Sequence, residues 1–284
     1  PTAMLADYVF PTTGPTERPI CTTPGVGDSS NVIFGSERVV KPPYERRDDY
    51  QFWCGLGRRM GQKEYWPWPT LEEVNDHRLK PLGMTFADFA RKPWIIPPPT
   101  YKRYERTGFA TPSGKVEIYS SIFEKLGGDP IPFYEEPAES PVSTPELARE
   151  YPLILTTGRR FEEAMHSNYR HIQVLRKAHP DPLAEIHPET AAAMEPPVSD
   201  GDWIWVETLR GKAKFRAMVT TDILPGVVQA EHDWWFPERQ GEEPELFGMW
   251  ESNINVCTSD EPEHCDKLIG SWYYRGMLCK VYKA

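Results

Sequence analysis

The chain has 284 residues, with 32 Lys and Arg against 42 Asp and Glu and a formal net charge of −10; that balance argues against nucleic-acid binding and against docking on an anionic membrane, both of which need clustered positive charge. No run approaches the roughly 18 apolar residues of a membrane span, and the first residues lack a basic-then-apolar leader pattern. Thirty prolines and ten tryptophans describe a folded chain rich in stiffened loops, because disordered chains are poor in aromatics.

Pro1–Pro11 reads as the end of a helix running into a short buried strand, Tyr8–Phe10. Residues 11–31, rich in Thr, Pro, Gly and Ser, read as loop. A strand is expected within Val32–Val40, around Gly35. Asp48–Met60 places Phe52, Trp53, Leu56 and Met60 at helical spacing, with Gly61 as a stop. Thr70 with Glu73, and Thr85 with Asp88, are capping boxes that start two further helices. Residues 92–100 are proline-stiffened and extended. Phe109–Tyr119 predicts a Pro-Ser-Gly turn and then a strand that alternates Val116 and Ile118 with Lys115 and Glu117. Ser120–Leu126 predicts a short helix closed by Gly127-Gly128. Residues 129–150, rich in Pro and Glu and without a period, read as a linker.

From Tyr151 the texture changes. Short β-rich runs cover Pro152–Thr157, Leu183–Ile186, Trp203–Glu207, Lys214–Thr220, Val227–Glu231 and Leu278–Tyr282. Two short helices, Ile172–Ala178 and Pro188–Met194, lie between them. Six short strands with few helices predict a small barrel and not a βαβ sheet.

The five cysteines, Cys21, Cys54, Cys257, Cys265 and Cys279, are widely spaced and include no C-x-x-C, which argues against an iron–sulfur cluster or zinc ribbon held within this chain. Cys257, His264 and Cys265 form a candidate metal set that lacks an evident fourth ligand; reduced thiols are the plainer reading.

Four constellations carry polar chemistry. Leu155–Arg159 ends a strand in Thr156-Thr157-Gly158-Arg159, where glycine lets backbone amides approach an anion and a guanidinium supplies donors; a common strand-end turn has the same pattern. His166–His171 is six consecutive hydrogen-bonding side chains, read either as a binding loop or as a solvated helix start. His232-Asp233-Trp234-Trp235-Phe236 follows a strand, as core or as the wall of a pocket for a flat ligand. Ser252–Thr258 alternates Asn253 and Asn255 with Ile254 and Val256, offering amides that suit heterocycle edges, or an Asx turn. Polar loops at barrel strand ends are a usual ligand location.

Taken as a set, these residues resemble the C-terminal part of the molybdopterin oxidoreductases of the dimethyl sulfoxide reductase type. The matching elements are Thr157-Gly158-Arg159, His166-Ser167, Leu175-Arg176 with Pro180, Ile186–Ala191, Asp200–Trp203, Val219–Val228, Trp234–Glu238, and Asn253, Asn255 and Thr258, in order over the C-terminal half. Thr2–Pro11 and Phe109–Ser120 extend the resemblance upstream. Met194-Glu195-Pro196-Pro197-Val198-Ser199 is more proline-rich than the family's usual pattern before Asp200 and puts that local turn in question. His232–Glu238 is similar to the acetylene-hydratase-like and the thiosulfate- or polysulfide-reductase-like members.

The resemblance implies a mixed α/β and β fold: the tail of an α/β domain over 1–128, the linker 129–150, and a six-stranded double-psi β-barrel over 151–284. It implies a bis-molybdopterin guanine dinucleotide cofactor with Mo or W, held here by Thr157, Gly158, Arg159, His166, Ser167, His232, Trp234, Trp235, Asn253, Asn255 and Thr258. The metal ligand and a 4Fe-4S cluster are expected in an N-terminal part of the same enzyme, which is the expected partner, together with an iron–sulfur electron-transfer subunit. Neither a catalytic residue nor a metal ligand is expected in this chain, which is expected to be inactive alone. A cytoplasmic location is expected, or a periplasmic one if a full precursor carries a twin-arginine leader. The alternatives are a free-standing cofactor- or nucleotide-binding module without catalysis, and a hydrolase built on His166 or His232 with Asp233, for which no nucleophile motif is present.

Overall fold

The computed structural model describes residues 1–22, 32–96, 98, 100–159, 163–266 and 268–284; the side chain of Arg159 also lies outside the described residues. The chain divides into two compact units, Asp7–Ala110, and Thr111–Ala284 with Pro1–Ala6. Among the described residues no helix is long and apolar enough to cross a membrane.

Asp7–Ala110 is a small mixed unit. Strands β1 (Ile20–Thr22), β2 (Ile33–Ser36) and β3 (Trp94–Ile95) form an antiparallel sheet. Gly35 faces Cys21 in the register, and a Cβ there would lie 1.9 Å from the Ile20 carbonyl oxygen, so only glycine permits this approach. Three helices follow the capping chemistry of the sequence. Asp48 accepts from the Gln51 N–H and starts Asp49–Arg59. The Thr70 hydroxyl accepts from the Glu73 N–H and starts Leu71–Leu79. Thr85 and Asp88 close a reciprocal capping box at Phe86–Arg91. Each cap supplies an acceptor for an N–H the helix cannot satisfy itself. Cys21, Leu79, Phe86 and Phe89 form the core, with Ile33, Met84 and Ile95 packed against it.

Two expectations fail. Thr2–Leu5 is a 3₁₀ turn, and Tyr8–Phe10 is exposed and not a strand. In the second unit Val116 and Ile118 are exposed in irregular chain; alternation alone does not make a strand when no neighbouring edge takes up its backbone groups.

Within Thr111–Ala284, six strands close into a barrel. They are β4 (Leu153–Arg159), β5 (Leu183–Ile186), β6 (Trp203–Glu207), β7 (Lys212–Val219), β8 (Val227–Glu231) and β9 (Arg275–Lys283). Their order around the barrel is β4-β8-β5-β7-β6-β9. The β4–β8 and β5–β7 pairs are parallel and the other four are antiparallel. Alternate residues point inward, as the period of two requires: Leu153 and Leu155, Ala184 and Ile186, Ile204 and Val206, Ala213, Phe215 and Ala217, Val228 and Ala230, and Met277, Cys279 and Val281 fill the interior. Ile254 and Cys257, from the 3₁₀ turn Ile254–Cys257, join this core. The stretch 129–150 contains the helix Pro145–Glu150, and its buried Glu139 pairs with Arg210 in the turn between β6 and β7.

Candidate functional site

The topology gathers one end of the barrel. Because β4 and β8 run parallel, their C-terminal ends emerge together. Because β9 runs antiparallel to β4, with Arg275 opposite Thr156, its start emerges at the same end. The polar segments after β4, after β8 and before β9 therefore meet, and a cleft of about 580 Å³ lies among them. Its wall is Thr157, Gly158, His166, His232, Asp233, Asn255, Thr258, Ser259, Asp260, Trp272, Tyr274 and Arg275.

Thr157 is the third inward position of β4 and is buried; its hydroxyl donates to the Tyr274 carbonyl at 2.7 Å. The β4–β8 register slips between Thr157 and Arg159. Gly158 absorbs the slip at φ +92°, a backbone region that side chains disfavour. The bulged residue is itself part of the cleft wall.

His166 and Asp233 also have positive φ, +54° and +60°, which for non-glycine residues marks strain held by the surroundings. The His166 Nδ1 lies 2.9 Å from the His232 Nε2 and 3.2 Å from the Asp233 carboxylate, and the His232 Nε2 is 3.2 Å from the same carboxylate oxygen. Behind them, Glu231 is fully buried against Arg170 and His179, at 2.8 and 2.9 Å. Burial pulls the Arg170 guanidinium below its usual value, with Glu231 opposing. The guanidinium also lies 4.1 Å over the Trp234 ring.

Thr157, Gly158, His166, His232, Asn255 and Thr258 of the expected set share the cleft wall. Ser167, Trp234, Trp235 and Asn253 lie elsewhere. Trp234 is buried in the core beneath Arg170, so its ring is packing and not wall. Trp235 donates its indole N–H to the Ser167 carbonyl at 2.7 Å; these two residues pin one loop to the other behind the wall. The Asn253 side chain caps the 3₁₀ turn by accepting from the Asn255 N–H. The side chain of Arg159 is outside the described residues. Sequence reasoning missed Ser259, Asp260, Trp272, Tyr274 and Arg275. The signal for the last was Arg275-Gly276 at the head of the final strand, a counterpart of the Gly158-Arg159 pair.

The donor set suits a polar heterocycle joined to an anionic arm. Asn255 and Thr258 both give and take hydrogen bonds, the imidazoles do so through either ring nitrogen, and Arg275 brings a forked cation. Asp233 and Asp260 supply acceptors for ring N–H and amino groups. Among the described residues, two groups of side chains converge closely enough to hold a cation, His166–His232–Asp233 and Glu261–Glu263–His264. Cys257 is not part of either; it sits in the barrel core, where burial pushes its thiol up to about 12.

Residues 153–272 match the family model described as "Molydopterin dinucleotide binding domain". The chain is 40% identical over 288 residues to acetylene hydratase of Syntrophotalea acetylenica, covering 100% of this chain and 39% of that protein. It is 28% identical over 297 residues to the dimethyl sulfoxide/trimethylamine N-oxide reductase of Rhodobacter capsulatus, covering 92% of this chain and 34% of that one. The solved structure of acetylene hydratase from Pelobacter acetylenicus superposes with a TM-score of 0.90 at 39% identity, covering 100% of this chain and 39% of that chain. The chain thus spans well under half the length of these relatives. The closed six-stranded mixed barrel is that of the dinucleotide-binding domain, and the chain belongs to the dimethyl sulfoxide reductase family of molybdopterin oxidoreductases, as a C-terminal part.

Proposed function

We propose that the cleft at the end of β4, β8 and β9 holds the pterin and pyrophosphate portions of a bis-molybdopterin guanine dinucleotide, as the closing half of a larger Mo- or W-dependent enzyme. The observation that carries this reading is the cleft wall itself. One backbone bulge at Gly158, one guanidinium, two imidazoles and the Asn255–Thr258 pair face the same space. Gly158 and Arg275 take the anionic arm, since a bulged backbone and a guanidinium both favour negative oxygen. Asn255, Thr258 and the imidazoles take the heterocycle edges. The metal of the bound cofactor supplies the redox or Lewis-acid chemistry; this chain's residues bind, orient and exclude water.

The parent enzyme's reaction is set outside this chain, where the metal ligand, an iron–sulfur cluster and the substrate funnel belong, and the chain alone has no turnover. The relatives' names span acetylene hydration and sulfoxide or N-oxide reduction, so both are the first activities to assay in the parent enzyme. Binding is tested on the 284-residue chain, labelled with ¹⁵N and titrated with air-oxidised molybdopterin guanine dinucleotide. Saturable shifts at Gly158, Asn255, Thr258 and Arg275 are expected. No shifts, or shifts confined to Asp7–Ala110, would refute the assignment.

A further inference from the structure

We infer that Arg170, clamped by the wholly buried carboxylate of Glu231, is the positioning residue of the cleft: it sets the distance between His166 and the His232–Asp233 pair. Glu231 ends β8, two residues before Asp233, and both of its oxygens are engaged. One accepts from the Arg170 Nη2 at 2.8 Å, and the other from the His179 ring N–H and the Leu183 backbone N–H. Arg170 lies in the same turn as His166, four positions after it. Its second reach is to the Asp233 carbonyl, where Nε donates at 3.4 Å.

One side chain thus holds the loop after β4 to the last residue of β8 and to the segment that follows it. His166 and Tyr169 on the first segment and Asp233 on the second are in the left-handed backbone region, which non-glycine residues adopt uncommonly. Something outside the loops must impose them, and the Arg170–Glu231 clamp joins the two loops at their bases. A planar guanidinium meets a carboxylate and a carbonyl from separate nitrogens in a fixed fork; an ammonium presents its donors from a single nitrogen and does not hold that spacing. A buried ion pair is weak evidence for added stability, whereas an ordered pair of imidazole nitrogens is a measurable consequence of positioning. The inference rests on the proposed function for its meaning, since those nitrogens face the cleft, but not for its test.

The test uses the intact chain, selectively labelled with ¹⁵N in its histidine rings, without cofactor. The native protein, Arg170→Lys and Glu231→Gln are compared by ring ¹H–¹⁵N spectra, with His166→Gln and His232→Gln supplying assignments and near-ultraviolet circular dichroism reporting the fold. In the native protein the shared ring proton of His166 and His232 is expected to be protected from exchange. In folded Arg170→Lys the protection is expected to fall about tenfold, the factor expected when one hydrogen bond is loosened, and the ring shifts move to those of separate imidazoles. Glu231→Gln gives the same signature. A variant that melts earlier but keeps the native ring signals overturns the inference, because that is what a merely structural ion pair would do. Unfolding of both variants overturns it too. A chain that shows the predicted ring signature yet takes up no pterin refutes the cofactor reading and leaves the clamp in place.

Discussion

The Thr157 hydroxyl donates to the Tyr274 carbonyl across 2.7 Å, joining the last inward position of β4 to the residue that precedes β9. Both residues are in the cleft wall, so this bond fixes one edge of the site while closing the barrel. Thr157→Val preserves the shape of the side chain and leaves the carbonyl without this donor. The expected cost is about 1 kcal/mol, seen as a lower urea midpoint at unchanged slope. An unchanged midpoint would show that the carbonyl finds water instead.

Gly35→Ala should disrupt the small sheet of Asp7–Ala110. The added Cβ would collide first with the backbone oxygen of Ile20, and also with the ring of the buried Phe89. The expected destabilisation is about 3 kcal/mol, the upper range for forced overpacking. Hydrogen exchange should quicken in β1 and β2 while β4–β9 stay protected; equal quickening in both units would show that they unfold together.

Much of the barrel was legible because its six strands are short β-rich runs set apart by turn and loop residues. Trp203–Glu207, Leu183–Ile186 and Val227–Glu231 begin and end where the pattern does. Two of the three N-caps, Thr70 and Thr85, were legible from the acid three residues on; the Asp48 cap was not read. The Val116–Ile118 alternation misled, because a strand needs a partner and a sequence window does not contain one. The cleft was half legible. Motifs adjacent in sequence placed Thr157, Gly158, His166, His232, Asn255 and Thr258. Arg275 reaches the site only through the antiparallel pairing of β9 with β4, and Arg170 matters only through Glu231. Trp234 and Trp235 are neighbours with opposite fates, decided by which of them the end of β8 turns inward.

Stability should fall at both ends of the pH scale. Glu207 is held below its usual value, first by the Tyr282 hydroxyl and then by Lys280; Asp202 is held low by the Ser199 N–H and Lys283. A depressed carboxylate stabilises the fold above its unfolded value, so this contribution is lost as pH falls below about 4.5. Tyr282 is pushed up to about 12 by burial and then by Glu207, and Cys257 to about 12 by burial. A raised acid stabilises below its unfolded value, so loss begins as pH rises past about 9 and is complete near 12. Urea unfolding from pH 3 to 11 should show a plateau between two declining limbs. Glu207→Gln should flatten the acid limb.

Thiol reactivity should separate one cysteine from the rest. Cys21, Cys54, Cys257 and Cys279 are buried, while Cys265 is partly exposed. Burial raises the Cys257 and Cys279 thiols and leaves little thiolate for attack. A chromogenic disulfide should therefore titrate one thiol quickly in the native chain and all five after denaturation, and Cys265→Ala should remove the fast phase. A second fast thiol would point to an opening of one unit.

The closed order β4-β8-β5-β7-β6-β9 places both neighbours of β4 late in the sequence: Leu153 pairs with Cys279, and Ile154 with Val227. During synthesis the first barrel strand must leave the ribosome and wait through nearly the whole domain for its two partners. Most of the barrel's contacts are of this distant kind, so folding should be slow for its size. In the interval β4 presents Leu153, Leu155 and two bare edges to whatever is nearby. The strand that contributes Thr157 and Gly158 to the cleft is thus the one most in need of a chaperone while the chain is being made.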